Sequence, residues 1–194
     1  VDGPAEEAGL DAAERRRVLD ALESETLTAI ERGFSADLVV HAFALTAREC
    51  GIGADLVTPF FASMRTDLTS TVHDDASHDA YVYGSAEVVG LMCLQVFVNA
   101  GAPDPRPPEA HLVAGARSLG SAFQDVNFLR DLDDDAEARG RDYLGASDPA
   151  RRTEVLARID ADLQTAAATI PDLPADCRRA VTAAHDLFAE LTKR

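Results

Sequence analysis

The residues of this chain best suited to chemistry form one polar stripe in its second half. The stripe consists of Gln124, Asn127, Asp131 and Asp135. On a helix, which turns by about 100° per residue, these four positions lie within about 80° of one another. Apolar residues occupy much of the remaining circumference, whereas an ordinary amphipathic helix keeps its polar residues on a broad solvent-facing side. The pattern therefore predicts a buried helix that turns a narrow polar stripe towards a cavity.

The two carboxylates of the stripe indicate what the cavity binds. Asp131 and Asp135 are four residues apart, so on a helix they repel each other unless a positive charge lies between them. Mg²⁺ takes oxygen ligands and shares its coordination shell between one or two carboxylates and the phosphates of a substrate. The spacing thus favours a magnesium site for a phosphorylated substrate, with a solvated acidic helix end as the alternative.

The sequence around the stripe resembles the squalene/phytoene synthase family. The segment Gln124-Asp-Val-Asn-Phe-Leu-Arg-Asp-Leu-Asp-Asp-Asp135, followed by Arg141-Asp-Tyr143-Leu, is similar to the second aspartate-rich motif of that family. The family pattern is Q-x-x-N, two hydrophobic residues, R-D-x-x-x-D, and then R-x-Y-hydrophobic. The match is far more specific than an isolated pair of aspartates.

Three upstream segments resemble the same family in the same order. Residues 64–68, Met-Arg-Thr-Asp-Leu, match its M-R-x-D-L segment, and residues 81–90 match its Y-x-Y-x-x-A-G-x-V-G helix. Glu87 departs from the latter pattern, since many members have Gly there; it either pairs with an arginine or marks a subgroup. Residues 1–4 resemble the end of the first aspartate-rich motif, which implies that the earlier part of this motif and the helices before it are missing here.

The resemblance implies a role for each matching residue. The implied metal ligands are Asp2, Asp131, Asp135 and Asn127. The implied substrate-binding residues are Arg65, Gln124, Asn127, Arg130 and Arg141. The implied catalytic residues, around the reacting carbons and the diphosphate, are Tyr81, Tyr83, Tyr143 and Asp67.

The chemistry implied by the resemblance is head-to-head prenyl coupling with Mg²⁺ as cofactor and Mn²⁺ as an alternative. One allylic diphosphate ionises, the double bond of a second attacks the cation, and the resulting cyclopropyl diphosphate rearranges to a linear hydrocarbon. The amino-acid sequences of segments 81–90 and 127–131 most resemble those of bacterial phytoene synthases. This resemblance favours geranylgeranyl diphosphate as substrate and phytoene as product. The alternatives are a squalene or dehydrosqualene synthase that uses farnesyl diphosphate, and a non-catalytic prenyl-lipid-binding or assembly protein of the same fold.

The expected fold is all-α: an isoprenoid-synthase-type helical bundle around a central cavity, in one domain over residues 1–194. Capping residues and apolar periodicity predict helices over residues 11–32, 35–50, from about 55, 108–140, 149–170 and 175–192. We interpret 73–75 and 78–79, which contain His and Asp, as capping and turn residues in a break between helices rather than as a metal site. Asp125 falls off the polar stripe and receives no role.

Composition excludes several classes of function. The net charge is −16, and phosphate-backbone binding needs clustered positive charge, so nucleic acid is not an expected partner. Three widely spaced cysteines without a C-x-x-C pattern indicate a reducing compartment, so we expect a cytoplasmic protein. No uncharged apolar run is long enough to predict a membrane span, and no signal peptide is visible. A lipid substrate and product imply transient contact with the membrane surface.

Overall fold

The computed structural model describes residues 9–68, 75–138 and 149–193, and this part of the chain is built of helices and connecting turns with no strand. The α-helices are α1 (Ala12–Arg32), α2 (Leu38–Cys50), α3 (Ala54–Thr66), α4 (Asp75–Val82), α5 (Val88–Asn99), α6 (Ala110–Ala138), α7 (Pro149–Thr169) and α8 (Ala175–Leu191). A π-helical turn, Tyr83–Glu87, joins α4 to α5, and a 3₁₀ turn, Ile170–Asp172, follows α7. The expected all-α fold is confirmed.

Local signals set the ends of α1 as predicted. Asp11 accepts a hydrogen bond from the Glu14 amide, and the Glu14 carboxylate accepts one from the Asp11 amide, which together form a capping box. Gly33 ends the helix in the left-handed conformation at φ 78°, where a residue with a side chain would be strained. The Gly51 terminus of α2 has the same form.

The start of α2 differs slightly from the prediction. Asp37, and not Ser35, caps the helix by accepting hydrogen bonds from the amides of Val39 and Val40. The Ser35 hydroxyl accepts a hydrogen bond from the Asp37 amide instead, so it shapes the turn before the cap. Both residues are good cap formers, and the choice between them depends on how the turn packs.

The segment from α4 to α5 is continuous, and it corrects the interpretation of the His and Asp residues before Tyr81. His78 and Asp79 lie inside α4 rather than in a break, and His78 is buried. Its neighbours His73 and Asp74 lie outside the described residues. The helical continuity extends from Ser77 to Asn99, which makes this stretch long and apolar enough to span a membrane by length and composition.

That finding differs from the expectation of no span, and it is weak evidence for one. A helix in the core of a soluble protein passes the same test, and here the segment packs against α3 and α6. Its one acidic residue after Asp79, Glu87, is paired with Arg117 of α6. The sequence pattern missed the length of this apolar stretch because Glu87 interrupts it.

The main core lies between α6 and α7, which form the most extensive helix pairing in the described chain. Its fully buried residues are Ala122, Val126, Val155, Ile159 and Leu163. A second core joins α1, α2, α3 and α5. A third, smaller core joins α5 to α6 through Leu94 and Leu112, together with Ile170 and Leu173, and the candidate site is built beside these two helices.

Candidate active site

A cavity of about 430 Å³ lies beside α6 and is walled by the π-helical turn, α5, α7, the 3₁₀ turn and α8. On α5 and the turn before it, the wall residues recur every three or four positions, from Ser85 to Phe97. On α6 they recur in the same way from Leu112 to Gln124. Because both helices present one face over twelve residues, the cavity extends about 18 Å along them.

Glycines allow α5 and α6 to come close enough to form this wall. A Cβ atom at Gly90 would lie 2.5 Å from the Ala116 carbonyl oxygen, and one at Gly120 would lie 2.6 Å from the Ala86 carbonyl oxygen. Both distances are too short for any side chain. Gly90 and Gly120 therefore allow the two backbones to come close, and the two contacts show that α5 and α6 run antiparallel.

Gln124 lies at one end of the cavity, where Ser85 and Ala86 of the antiparallel partner also lie. The other end is apolar, with Leu94, Phe97 and Leu112. The cavity is thus less polar than the stripe predicted: its lining is mostly hydrocarbon. It has the character of a site for a long apolar chain with a polar group at the Gln124 end.

The polar stripe continues beyond that end along the same helix. Asn127 is half-buried, and the backbone of α6 places residues 131 and 135 one and two further turns along the face that begins at Gln124. The side chains of Asp131 and Asp135 lie outside the described residues, as do Asp2, Arg141 and Tyr143 entirely. Within the described side chains, no group of three His, Cys, Asp or Glu residues could hold a metal ion.

Tyr81 lies on the opposite flank of the stripe from the cavity. Its ring is buried and its centroid is 5.9 Å from that of Phe128, which follows Gln124 by about 40° around α6. The cavity-lining Phe123 is about 100° from Gln124 in the other direction. The stripe is therefore bordered by an aromatic contact on one side and an apolar cavity on the other.

Tyr83 is linked to the unexpected carboxylate at Glu87. Arg117 lies over the Tyr83 ring, 5.4 Å from its centroid, and its Nε donates a hydrogen bond of 2.6 Å to Glu87 Oε2. Of the two readings of Glu87, the pairing with an arginine is confirmed. The pair joins the π-helical turn to α6, and it explains how a carboxylate is tolerated in an apolar helix.

Arg65, which the resemblance places at the diphosphate, pairs with two carboxylates of α1. Its Nε donates to Asp20 at 2.6 Å, and its Nη2 donates to Glu23, so the guanidinium ties α3 to α1. The hydrogen bond to Glu23, with a smaller contribution from Asp20, raises the pKa of Arg65. Neither Arg65 nor Asp67, at the end of α3, lines the cavity described above. Their roles at the diphosphate stay a prediction.

Arg130 also lies away from the cavity. It borders a second hollow with Arg152 of α7 and the end of α8, around Leu191 and Lys193. Its side chain is exposed. The family resemblance implied that Arg130 binds the substrate, and this role stays a prediction.

Asp125, which received no role from the sequence, is one of the most buried charged residues described, at 1% exposure. Arg158 of α7 binds its Oδ2 through Nε at 2.9 Å and Nη2 at 2.8 Å. Its Oδ1 lies 3.2 Å from His78 Nε2 of α4. The sequence signal for this cluster was a carboxylate surrounded by apolar residues of α6, but the partners 33 and 47 positions away were not recognisable from spacing.

Comparison with known proteins agrees with the motifs. The family model described as squalene/phytoene synthase matches residues 1–155. The chain belongs to the squalene/phytoene synthase family. The family match includes the polar stripe, all three upstream segments and the start of α7.

Two relatives illustrate the family's reach. A bifunctional lycopene cyclase/phytoene synthase of Blakeslea trispora is 28% identical over 141 residues, which is 61% of this chain and 22% of that protein. The crystal structure of squalene synthase HpnC from Alicyclobacillus acidocaldarius superposes with a TM-score of 0.78 at 20% identity, over 92% of this chain and 72% of that one. This chain thus spans about a fifth of the curated relative, and the HpnC likeness shows the squalene/phytoene synthase fold.

Cys93 offers a reporter for occupation of the cavity. It lines the cavity and is exposed to it, and burial among apolar walls raises the pKa of its thiol. Maleimide labelling of Cys93, followed by mass spectrometry, is expected to rise with pH because the thiolate is the nucleophile. A prenyl diphosphate analogue at ten times its Kd should slow the labelling about tenfold, since about a tenth of the sites remain free.

Cys177 is a built-in control for this experiment. It is half-buried and is not part of the cavity lining, so its labelling rate should be the same with and without the analogue. Cys93→Ser assigns the protected peptide. Equal protection of both cysteines, or none at Cys93, would contradict binding in this cavity.

Proposed function

We propose that this chain carries out the Mg²⁺-dependent head-to-head condensation of two molecules of geranylgeranyl diphosphate to phytoene, through a cyclopropyl diphosphate. It would act as a transferase of the prenyltransferase class. The observation that carries the proposal is the apolar cavity with Gln124 at one end, where the Asn127, Asp131 and Asp135 stripe begins. A prenyl diphosphate needs an apolar surface for its hydrocarbon chain, followed by polar and metal-binding groups for its diphosphate.

The dimensions of the cavity support a prenyl chain as its occupant. Its walls extend about 18 Å along α5 and α6 and are mostly apolar, so an extended chain would lose water along most of its length. The Phe97 and Leu112 end would hold the far end of the chain. The C20 substrate is favoured by the phytoene-synthase phrasing of residues 81–90 and by the phytoene synthase function in the name of the curated relative.

The donor set of the stripe fits the metal that this reaction needs. Asp131 and Asp135, with Asn127 alongside, offer the hard oxygen ligands that Mg²⁺ prefers, and they follow Gln124 on one face of α6. When bound there, Mg²⁺ would neutralise the negative charge of the departing diphosphate. Mn²⁺ accepts similar ligands and is an alternative.

The protein's own contribution is mainly to bind, orient and exclude water. Tyr81 and Phe128 form an aromatic flank beside the stripe, where an allylic cation would be stabilised by the faces of the rings. The apolar lining keeps water from the cation, which water would otherwise convert to an alcohol. A cytoplasmic location and transient contact with the membrane surface stay predictions of the sequence.

Product analysis tests the proposal. The full-length protein is incubated with geranylgeranyl or farnesyl diphosphate and Mg²⁺, extracted into hexane, and the hydrocarbon is identified by mass. We expect a C40 hydrocarbon from the C20 substrate, lost when EDTA removes the metal. A C30 hydrocarbon formed only from the C15 substrate would keep the reaction and overturn the choice of substrate.

The same assay addresses a different class of function. A family member without catalysis would bind prenyl diphosphates, and would protect Cys93 from labelling, yet form no hydrocarbon from either substrate. That combination would overturn the enzymatic proposal and leave a prenyl-lipid-binding protein.

A further inference from the structure

The buried charge cluster of Asp125, Arg158 and His78 joins three helices at the flank of the polar stripe. Asp125 of α6 is 1% exposed and His78 of α4 is 4% exposed, while Arg158 of α7 is about one-third exposed. Arg158 donates to Oδ2 of the Asp125 carboxylate, and Oδ1 lies 3.2 Å from His78 Nε2. Arg158 Nη2 is also 3.4 Å from the same imidazole nitrogen.

Holding helices together through buried charges has a high cost in desolvation free energy. Burying a carboxylate costs free energy, and an ion pair with its partners at most offsets that cost. Well-packed apolar residues of similar volume often give the folded protein equal or greater stability. In this cluster the cost of burial is not fully offset, because among the described residues neither Asp125 Oδ1 nor His78 Nδ1 has a hydrogen bond of good geometry. Stability alone therefore does not account for these three residues, which leaves a role in fixing geometry.

The geometry that the cluster fixes is the position of α4 on α6. His78 and Tyr81 are one turn apart on α4, and Asp125 and Phe128 are one turn apart on α6. The Phe128 ring contacts both partners, with centroids 5.8 Å from His78 and 5.9 Å from Tyr81. The two helices are thus joined by two contacts one turn apart: the polar contact of Asp125 with His78 and the aromatic contact of Phe128 with Tyr81.

Tyr81 lies one turn from this attachment, near the start of the continuous helical segment Ser77–Asn99. On the α3 side, the Ser63 hydroxyl donates a hydrogen bond of 3.1 Å to the Tyr81 carbonyl oxygen. An aromatic contact alone lets rings slide over each other, whereas a charged contact one turn away fixes the register along the helix axis.

We propose that Asp125 is a positioning residue, which, through His78, sets the place of Tyr81 beside the polar stripe. Arg158 holds the Asp125 carboxylate in the orientation that faces α4. The consequence for catalysis rests on the proposed function, in which Tyr81 flanks the reacting carbons; the positioning of Tyr81 itself does not.

Fluorine NMR tests the positioning without any need for activity. The chain has three tyrosines and no tryptophan, so protein labelled with 3-fluorotyrosine gives few, separable signals. Tyr81→Phe and Tyr83→Phe assign the signals. In Asp125→Asn, which keeps the shape and removes the charge, we expect the Tyr81 signal to shift or split while the Tyr83 signal stays in place.

Two further variants sharpen this result. His78→Phe keeps a ring against Phe128 and removes the polar contact, so it should move the Tyr81 signal as Asp125→Asn does. Glu25→Gln, which breaks the surface pair with Arg32, should move neither signal. An unmoved Tyr81 signal in folded His78→Phe, or equal shifts of Tyr81 and Tyr83, would overturn the proposal.

Kinetics then separate positioning from general loosening. A small misplacement of a group near the reacting atoms costs about tenfold to a hundredfold in rate, so Asp125→Asn should lower kcat by that factor with little change in KM. In a Tyr81→Leu background, which removes the aromatic ring, the same substitution should cost little more, because both changes act through that one side chain. Independent, multiplicative losses would contradict the link. A wild-type protein without activity would defeat the proposed function, while leaving the NMR result to decide the positioning.

Discussion

Asp131→Asn and Asp135→Asn are each expected to lower the rate of hydrocarbon formation at least about a thousandfold. A bound divalent cation supplies several kcal/mol of charge stabilisation in the transition state, and about 4 kcal/mol corresponds to a factor of a thousand. Asparagine keeps the shape of the side chain and removes the charge that the cation needs. Initial rates over a range of Mg²⁺ concentrations measure the effect.

The folded protein should be no less stable for either change. Two carboxylates four residues apart on a helix repel each other without a cation, so each substitution should raise the free energy of unfolding in EDTA by a few tenths of a kcal/mol. Urea unfolding with and without Mg²⁺ measures this. The wild-type chain should gain stability from Mg²⁺, and both variants should gain less.

Asp133→Asn is the matched control. Residue 133 belongs to the same acidic run and is also an aspartate, but two residues along α6 correspond to a rotation of about 200° from position 131, so position 133 lies off the stripe. We expect nearly unchanged rates. An equal loss in Asp133→Asn would show that the net charge of the helix end matters rather than the stripe, and substantial activity in Asp131→Asn would contradict a metal ligand there.

Gly84→Ala is expected to lower the free energy of unfolding by about 3 kcal/mol, the upper end of the usual cost of overpacking. In an exposed helix the same change would stabilise the protein by about 1 kcal/mol, so the sign itself is diagnostic. A Cβ atom at Gly84 would lie 2.2 Å from Ser63 Oγ and 2.3 Å from the Pro59 carbonyl oxygen. Ser63 could rotate away, but the Pro59 oxygen belongs to the backbone of α3.

The damage should spread to the neighbouring hydrogen bond. Rotating Ser63 breaks its bond to the Tyr81 carbonyl oxygen, which joins α3 to α4. Urea denaturation of the intact protein measures the loss. Ser85→Ala is the control: the Ser85 hydroxyl is buried without a hydrogen-bond partner among the described residues, so its removal should be neutral or slightly stabilising. A stabilised Gly84→Ala would contradict the close approach of the helices.

Much of the fold was predictable because its signals are local. Asp11 with Glu14, and Gly33 and Gly51, set the ends of α1 and α2 through hydrogen bonds within a few residues. Apolar periodicity gave the long α6 and the two helices that follow it. Where two good caps compete within one turn, as Ser35 and Asp37 do, sequence alone does not choose between them.

The candidate site was predictable in its residue types more than in their arrangement. The structure places Gln124 at the end of a cavity, as the stripe suggested, but it ties Arg65 to α1 and places Arg130 in a different hollow. Both arginines are long side chains whose partners depend on which helices pack beside them. A motif determines the backbone position of such a residue on its helix, but it does not determine which groups its guanidinium contacts.

The sequence by itself determined the helices, the family, and the spacing of the polar stripe, because each depends on residues close together in the chain or on a pattern of types. Only the tertiary structure decided the pairing of Glu87 with Arg117, the closeness of Gly84 to Pro59, and the burial of Asp125. These contacts join residues 25 to 47 positions apart. They arise from the crossing of packed helices, and one sequence does not reveal which faces meet.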